Sequence, residues 1–169
     1  MITTNAIILR RTNLRDADRI YTLYTERLGK VEAIATGVRK IKSKLCAHLE
    51  PCGVVQVTLV RGRMGWRIVN ARRETSYLNI TTHLDRFVAV MTVFETVDAL
   101  TKVELPDRRI FSLVHDFLAA HVDLNTLLYA LLDALGYRPL PQTIGTSLLL
   151  SPAFTDHLHY PLRSRMYYS

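Results

Sequence analysis

Apolar and polar residues alternate along the first part of the chain, which is the period expected of half-buried β-strands. Five segments are predicted strands: 6–11, 19–25, 30–36, 53–60 and 66–73. The segment 19–25 alternates and is rich in aromatic and β-branched residues, and 53–60 is strongly β-branched. Gly29 supplies the turn between the second and third segments, because glycine adopts positive φ without a steric penalty. Five short strands, with one non-strand excursion after the third, predict a small Greek-key barrel of the OB type.

The apolar positions change to helical spacing from Leu84 onwards. Repeats of three and four residues predict helices over 84–100, 107–118 and 123–135. Asp123 is placed to cap the third helix, and Gly136 follows where a left-handed residue ends a helix. From residue 138 the period is lost and four prolines follow. The predicted fold class is therefore α+β: an N-terminal OB-fold β-barrel over residues 1–76, then a small helical bundle with an irregular C-terminal tail over 77–169.

Charge is distributed unevenly along the 169 residues, whose net charge is +7. Residues 1–75 carry 15 basic and 6 acidic side chains, whereas residues 76–169 carry 7 basic and 9 acidic ones. The predicted barrel is thus at +9 and the rest at −2. A basic domain joined to a mildly acidic one is typical of a nucleic-acid-binding protein. An acidic protein partner or a membrane surface would also suit a basic domain.

Segments that target or anchor a protein are not predicted. No apolar run approaches the ~20 residues that span a bilayer. The run 6–9 is too short for a signal-peptide core, and its arginines follow it instead of preceding it. We therefore expect a cytoplasmic protein that does not act at a membrane.

The strongest local signal is a basic loop after the third strand. Four cations fall within six residues: Arg39, Lys40, Lys42 and Lys44. These charges repel one another, and DNA phosphates would neutralise them while releasing counterions. We therefore predict that this loop binds the nucleic-acid backbone, although a solvated charged loop is the alternative.

A second basic group lies on the last predicted hairpin and surrounds the only tryptophan, Trp66. Its members are Arg61, Arg63, Arg67, Arg72 and Arg73. An exposed indole stacks well on an unpaired base. Alternatively, Trp66 covers the barrel core and the arginines are ordinary strand-face charges. Tyr21 and Tyr24 are three residues apart on a strand, so at most one of them can face a stacking surface.

Catalytic and metal-binding patterns are not found. Cys46 and Cys52 are too few for a zinc ribbon and are interpreted as small, partly buried thiols. The six histidines have no metal-binding spacing. Asp16 and Asp18 are interpreted as turn-capping or ion-paired residues and not as a catalytic pair. We therefore expect neither an enzyme nor a cofactor.

Several segments, in this order, resemble the N-terminal OB domain of the bacterial recombination mediator RecO family: 6–11, 16–25, 29–40, 43–44 and 49–51. The similarity continues through 111–121, Asp123 and 131–139, which look like the helical domain of that family. The matching segments cover most of residues 1–140. No single motif is decisive, but the ordered set is fairly specific.

The resemblance implies a DNA-repair protein without enzymatic activity. RecO proteins bind single- and double-stranded DNA, anneal complementary strands and associate with RecR. They also engage the single-stranded-DNA-binding protein and thereby assist RecA loading indirectly. Many members carry a zinc ribbon just after the segment matching 136–139. This chain has 141–145 there and no cysteine beyond Cys52, so the resemblance implies that the ribbon and its zinc are absent.

The resemblance also implies a partner site on the helical domain. The acidic, apolar C-terminal tail of the single-stranded-DNA-binding protein would dock in a hydrophobic groove edged by cations. The candidate cations are Lys102, Arg108, Arg109 and Arg138. Two other function classes remain open from the residues alone: an OB-fold RNA-binding or translation-associated module, and a protein–protein adaptor.

Overall fold

The structure, a computed structural model, describes residues 1–77 and 79–137. Its strands are β1 (Ile2–Asn13), β2 (Arg19–Thr25), β3 (Gly29–Ala35), β4 (Gly53–Gly62) and β5 (Gly65–Ser76), with a short 3₁₀ turn at Cys46–His48. Its helices are α1 (Asn79–Thr82), α2 (Leu84–Leu100), α3 (Arg108–Leu118) and α4 (Leu124–Ala134). The predicted order of a barrel followed by three longer helices is confirmed. The predicted C-terminal tail lies outside the described residues.

The five strands form a closed barrel in the order β1–β2–β3–β5–β4. Neighbours are antiparallel, except that β3 and β5 run parallel over the pairs Ala33–Trp66 and Ile34–Arg67. This closure is that of an OB-type barrel, as predicted. The Gly62–Gly65 pair ends the β4–β5 hairpin.

Strand β1 is longer than its sequence pattern predicts. Its first half, from Ile2 to Ile7, pairs with β4, and the residues from Ala6 to Asn13 pair with β2. The apolar signal covers only the middle of the strand, because Thr3 and its neighbours are polar. Thr3 is nevertheless fixed by a hydroxyl contact of 3.1 Å to Thr58 on β4.

Two apolar cores lie on opposite faces of the barrel wall. Side chains such as Ile8, Leu23 and Val57 fill the barrel interior. Alternate residues point outward and pack against the helices, because successive side chains of a strand face opposite ways. This second core joins Ile7 and Val54 to residues of α1 to α4. The helical region is thus packed on the barrel, and the domain boundary at residue 76 stays a prediction.

Caps define the ends of α3 and α4, and those of α4 agree with the prediction. The Asp107 carboxylate accepts a hydrogen bond from the Arg109 amide at 2.8 Å, and α3 begins at Arg108. The Asp123 carboxylate accepts from the first amides of α4, at 3.0 and 3.1 Å. Gly136 follows α4 with φ of +83°. Each cap satisfies amides or carbonyls that the helix itself leaves unpaired.

The segment between α2 and α3 returns to the barrel. Val103 bridges to Lys30, and the Glu104 amide donates to the Lys30 carbonyl at 2.8 Å. Gly29 adopts the predicted left-handed conformation, with φ of +67°. A β-carbon on Gly29 would lie 2.2 Å from the Leu105 carbonyl oxygen. Glycine is therefore required there both for the turn and for this close approach.

None of the helices in the described part of the chain is long and apolar enough to cross a membrane.

Candidate nucleic-acid interface

The loop that carries the predicted phosphate-binding residues is bonded to the β1–β2 loop at one end of the barrel. The Asp18 carboxylate in the β1–β2 loop accepts a hydrogen bond from the Gly37 amide at 2.8 Å. The Arg39 amide donates to the Ala17 carbonyl at 3.0 Å. These bonds hold the β1–β2 loop (residues 14–18) against the segment 37–44, and we call the two together the loop end. Asp18 thus bonds a backbone amide of the other loop, whereas its sequence-based interpretation is a local cap or ion pair.

The four cations of the basic loop are all exposed: Arg39, Lys40, Lys42 and Lys44. Among the described residues, none of the four has a carboxylate within ion-pair distance. The Arg39 guanidinium instead donates to the Arg15 carbonyl at 3.3 Å. The positive charge of the loop is therefore uncompensated by the rest of the described chain, which is the arrangement that an anionic polymer would bind.

Arg15 is a candidate contact that sequence reasoning did not single out. It is exposed and belongs to the β1–β2 loop, which the Arg39 side chain touches. In the sequence it stands 24 residues from Arg39, with Asp16 beside it. Only the pairing of the two loops reveals that Arg15 adds to the charge of the loop end.

The second basic group is divided by its position along β5. Arg67 pairs with Ile34 at the parallel seam, and its guanidinium donates to the Thr36 hydroxyl at 3.1 Å. Thr36 directly precedes the segment 37–44, so Arg67 adjoins the loop end. Arg63 is exposed in the turn of the β4–β5 hairpin.

Arg72 and Arg73 lie further along the same strand. They follow Arg67 by five and six residues, or roughly 17 to 20 Å of extended chain. Arg72 forms an ion pair with Glu74 at 2.8 Å and lines a polar cleft of about 560 Å³ between the barrel and α3. One Arg73 nitrogen is buried, without a hydrogen-bond partner among the described residues. Arg72 therefore lies away from the loop end. The Arg73 amide donates to Nδ1 of His48 at 3.4 Å, so Arg73 lies beside the 3₁₀ turn that follows the segment 37–44 along the chain.

Trp66 and Arg61 are engaged by Glu104 from the α2–α3 segment. The indole N–H donates to the Glu104 carboxylate at 2.8 Å, and Arg61 pairs with the same oxygen. The Arg61 guanidinium lies 5.0 Å from the centre of the indole ring. Hydrogen bonds from Trp66 and then Arg61 hold the pKa of the Glu104 carboxyl below its ordinary value. The Glu104 carboxylate of the same chain thus binds both Trp66 and Arg61.

The face that Trp66 presents to the barrel is apolar. The indole is partly exposed and packs against the core inside the barrel. Tyr21 and Tyr24 do face opposite sides of the barrel wall, as predicted, since they belong to different cores. Both are fully buried, so neither offers a stacking surface.

Two of the predicted partner-binding cations line a shallow groove between α3 and α4. Arg108 and Arg109 share it with the apolar side chains of Leu113, Ala130 and Ala134, in a volume of about 500 Å³. Arg109 also forms an ion pair with Asp107 at 3.1 Å. Asp116 and Asp133 lie in the same groove and offset its positive charge. Lys102 is exposed before α3, and Arg138 lies outside the described residues.

Cys46 and Cys52 are both free thiols. Burial raises the pKa of Cys52, which disfavours a reactive thiolate. Within residues 1–77 and 79–137, no three His, Cys, Asp or Glu side chains are grouped as metal ligands.

The fold and this surface define the class: an OB-fold protein with a basic loop end and helices packed on one face. A family model described as "Recombination protein O N terminal" matches residues 1–77. The chain belongs to the RecO family. The resemblance noted from the sequence segments is thereby confirmed.

Several curated proteins named DNA repair protein RecO are similar to this chain. The one from Roseiflexus sp. (strain RS-1) is 35% identical over 143 residues, which are 80% of this chain and 50% of that protein. That from Dehalococcoides mccartyi is 34% identical over 143 residues, 80% of this chain and 56% of that protein. That from Rubrobacter xylanophilus is 35% identical over 117 residues, 69% and 47% of the two chains. The chain spans about half the length of the curated relatives it matches.

Proposed function

We propose that this chain is a non-enzymatic DNA-binding protein of DNA repair that binds single- and double-stranded DNA at the loop end. The observation that carries the proposal is the set of exposed, unpaired cations on the basic loop, fixed beside Arg15 at one end of an OB barrel. The names of the curated relatives support repair as the process. Arg61, Arg63 and Arg67 extend the surface along the hairpin, and Arg72 and Arg73 contribute at most at its far edge.

Stacking of Trp66 on an unpaired base is part of this proposal. It requires Arg61 to leave the indole face, because the guanidinium lies over the ring. Replacement by Ala should then weaken single-strand binding by about 1–3 kcal/mol and barely change duplex binding, whose bases are already stacked. Equal losses on both substrates, together with a lower melting temperature, would assign Trp66 to the barrel core.

We further propose that bound strands are annealed and passed on with RecR and the single-stranded-DNA-binding protein, which would assist RecA loading indirectly. The acidic, apolar tail of the latter would occupy the groove beside Arg108 and Arg109. Charges at the rim of such a contact mainly affect association rates, and apolar anchors hold the complex.

The decisive experiment is annealing of complementary oligonucleotides, with and without the cognate single-stranded-DNA-binding protein. Acceleration in both conditions is expected, and no acceleration in either would refute the annealing function. Competition with RNA oligonucleotides of matched sequence separates a DNA-binding from an RNA-binding module.

Titration of a labelled tail peptide against the full chain and against Arg108→Glu/Arg109→Glu tests the groove. Tight binding that the double change does not affect would exclude this groove as the peptide site.

A further inference from the structure

The loop end exposes aliphatic side chains among its cations. Ile41 is fully exposed, at 105% of its reference area, between Lys40 and Lys42. Leu14 is 41% exposed beside Arg15. The two residues lie on different loops, but Asp18 and Arg39 bond those loops together. Charge repulsion among the basic residues is consistent with their exposure to solvent, but it does not explain a fully exposed apolar side chain among them.

Phosphate contacts and base contacts need different chemistry. Lysine and arginine contacts to phosphates neutralise the backbone without reading the bases, whereas apolar side chains contact bases or insert between base steps, which they must first unstack in a duplex. An aliphatic residue with a cation on either side can therefore meet a base while its neighbours hold the adjacent phosphates. In an intact duplex the base faces are covered by stacking, so this contact is available mainly in single strands and at frayed ends.

We propose that Ile41 and Leu14 contact the faces of unpaired bases, so that the loop end prefers single strands and strand ends to intact duplex. This inference rests on the proposed DNA binding and adds the structural class of its ligand. Cations alone would bind any backbone of equal charge. The aliphatic pair makes the affinity depend on accessible bases.

The test compares three fluorescent ligands with the full chain: a 20-nucleotide oligothymidylate, an abasic oligomer with the same number of phosphates, and a 20-base-pair duplex. The variant is Ile41→Ser/Leu14→Ser, and the control is Leu84→Ser, which removes from α2 an aliphatic side chain that is 69% exposed, between the values for Leu14 and Ile41. The double change should weaken oligothymidylate binding about five- to tenfold, the lower part of the range for base-stacking residues. Binding to the abasic oligomer and to the duplex should change less than twofold.

The salt dependence of binding should stay unchanged in the double variant, because no cation is removed. Equal losses on the oligothymidylate and the abasic oligomer would overturn the base contact and leave phosphate binding intact. An unchanged affinity for all three ligands would overturn it as well. If the unaltered chain bound none of the three DNA ligands, the proposed function itself would fail.

Discussion

The loop end and the side of the barrel that faces the helices are both basic in sequence, but they differ in what lies opposite their cations. On the helix-facing side, Asp98 of α2 lies 3.3 Å from Arg10 and 3.4 Å from Lys30. Glu104 similarly pairs with Arg61. At the loop end the basic loop meets no carboxylate of the described chain at ion-pair distance. Asp98 and Glu104 of the helical region are therefore placed where they neutralise one side of the barrel, and the loop end stays positive.

The largest expected effect is the loss of DNA binding when the basic loop is neutralised. Arg39, Lys40, Lys42 and Lys44, all changed to Ala, should flatten the dependence of log K on log salt by about three units, because four phosphate contacts are lost. Affinity in 50 mM salt should fall by at least about 100-fold. The melting temperature should barely change, since these side chains are exposed. A variant whose salt slope matches that of the unaltered chain would remove the basic loop from the site.

On the helix-facing side, we expect alkaline pH to lower the stability of the fold, whereas salt should affect the loop end. Tyr24 is fully buried there and its hydroxyl donates to the Asp107 carbonyl at 3.2 Å. Burial raises the pKa of Tyr24 to about 12, so the folded state keeps its proton at a pH where the unfolded chain has lost it. The resulting stabilisation, about 2 to 3 kcal/mol, is present below pH ~10 and lost as pH rises towards ~12.

Denaturant unfolding at pH 8 to 11.5 measures this loss. Tyr24→Phe should flatten the alkaline decline while costing about 1 kcal/mol at pH 8 for the missing hydrogen bond. Parallel curves for the two proteins would show that the Tyr24 hydroxyl is not the group responsible. Burial also raises the pKa of Tyr21 and Tyr77, so the comparison with Tyr24→Phe is needed to isolate one residue.

Asp98→Asn should lower the stability of the fold without removing a residue of the loop end. Lys30 is only 12% exposed and would lose its charged partner, at a cost of about 1 to 3 kcal/mol. The matched control is Glu32→Gln, which removes the more exposed partner of Arg10 at 3.6 Å and should cost less than 1 kcal/mol. Chemical unfolding checks both values. An Asp98→Asn protein as stable as the original would mean that the helix-facing ion pairs do not hold the helices on the barrel.

The smallest effect is expected from Glu104→Gln. Glu104→Gln removes the charge that pairs with Arg61, while the amide oxygen can still accept from the Trp66 N–H, and a single exposed ion pair corresponds to about two- to fivefold in affinity. Glu50→Gln is the control, because Glu50 pairs with Arg11 at 2.7 Å and carries the same charge. Single-strand binding in low salt should become tighter for Glu104→Gln than for the control. Equal changes in affinity for Glu104→Gln and Glu50→Gln would indicate a general effect of net charge and no specific release of Arg61.

Sequence reasoning succeeded where a local signal decides the structure. The period of residues 19–25 gave strand β2 with its observed bounds, and Asp123 and Gly136 mark the ends of α4 by cap chemistry alone. It could not predict contacts between distant residues. Glu104 reaches Trp66 across 38 positions, and Asp98 reaches Lys30 across 68, because α2 packs on the barrel. The burial of Tyr24 has the same origin, since a strand pattern does not show what covers the outer face of the barrel, whereas Tyr21 is buried inside the barrel.

The double pairing of β1 has a consequence for how the chain folds during its synthesis. The second half of β1 finds its partner β2 within the first 25 residues, so that hairpin can form early. The first half pairs with β4, as Ile2 does with Leu59. At ribosomal rates of 5–20 residues per second, residue 59 follows residue 25 by about 2 to 7 seconds. During that interval the nascent chain presents an unpaired edge, and its polar Thr3, Thr4 and Asn5 protect it from pairing with other chains.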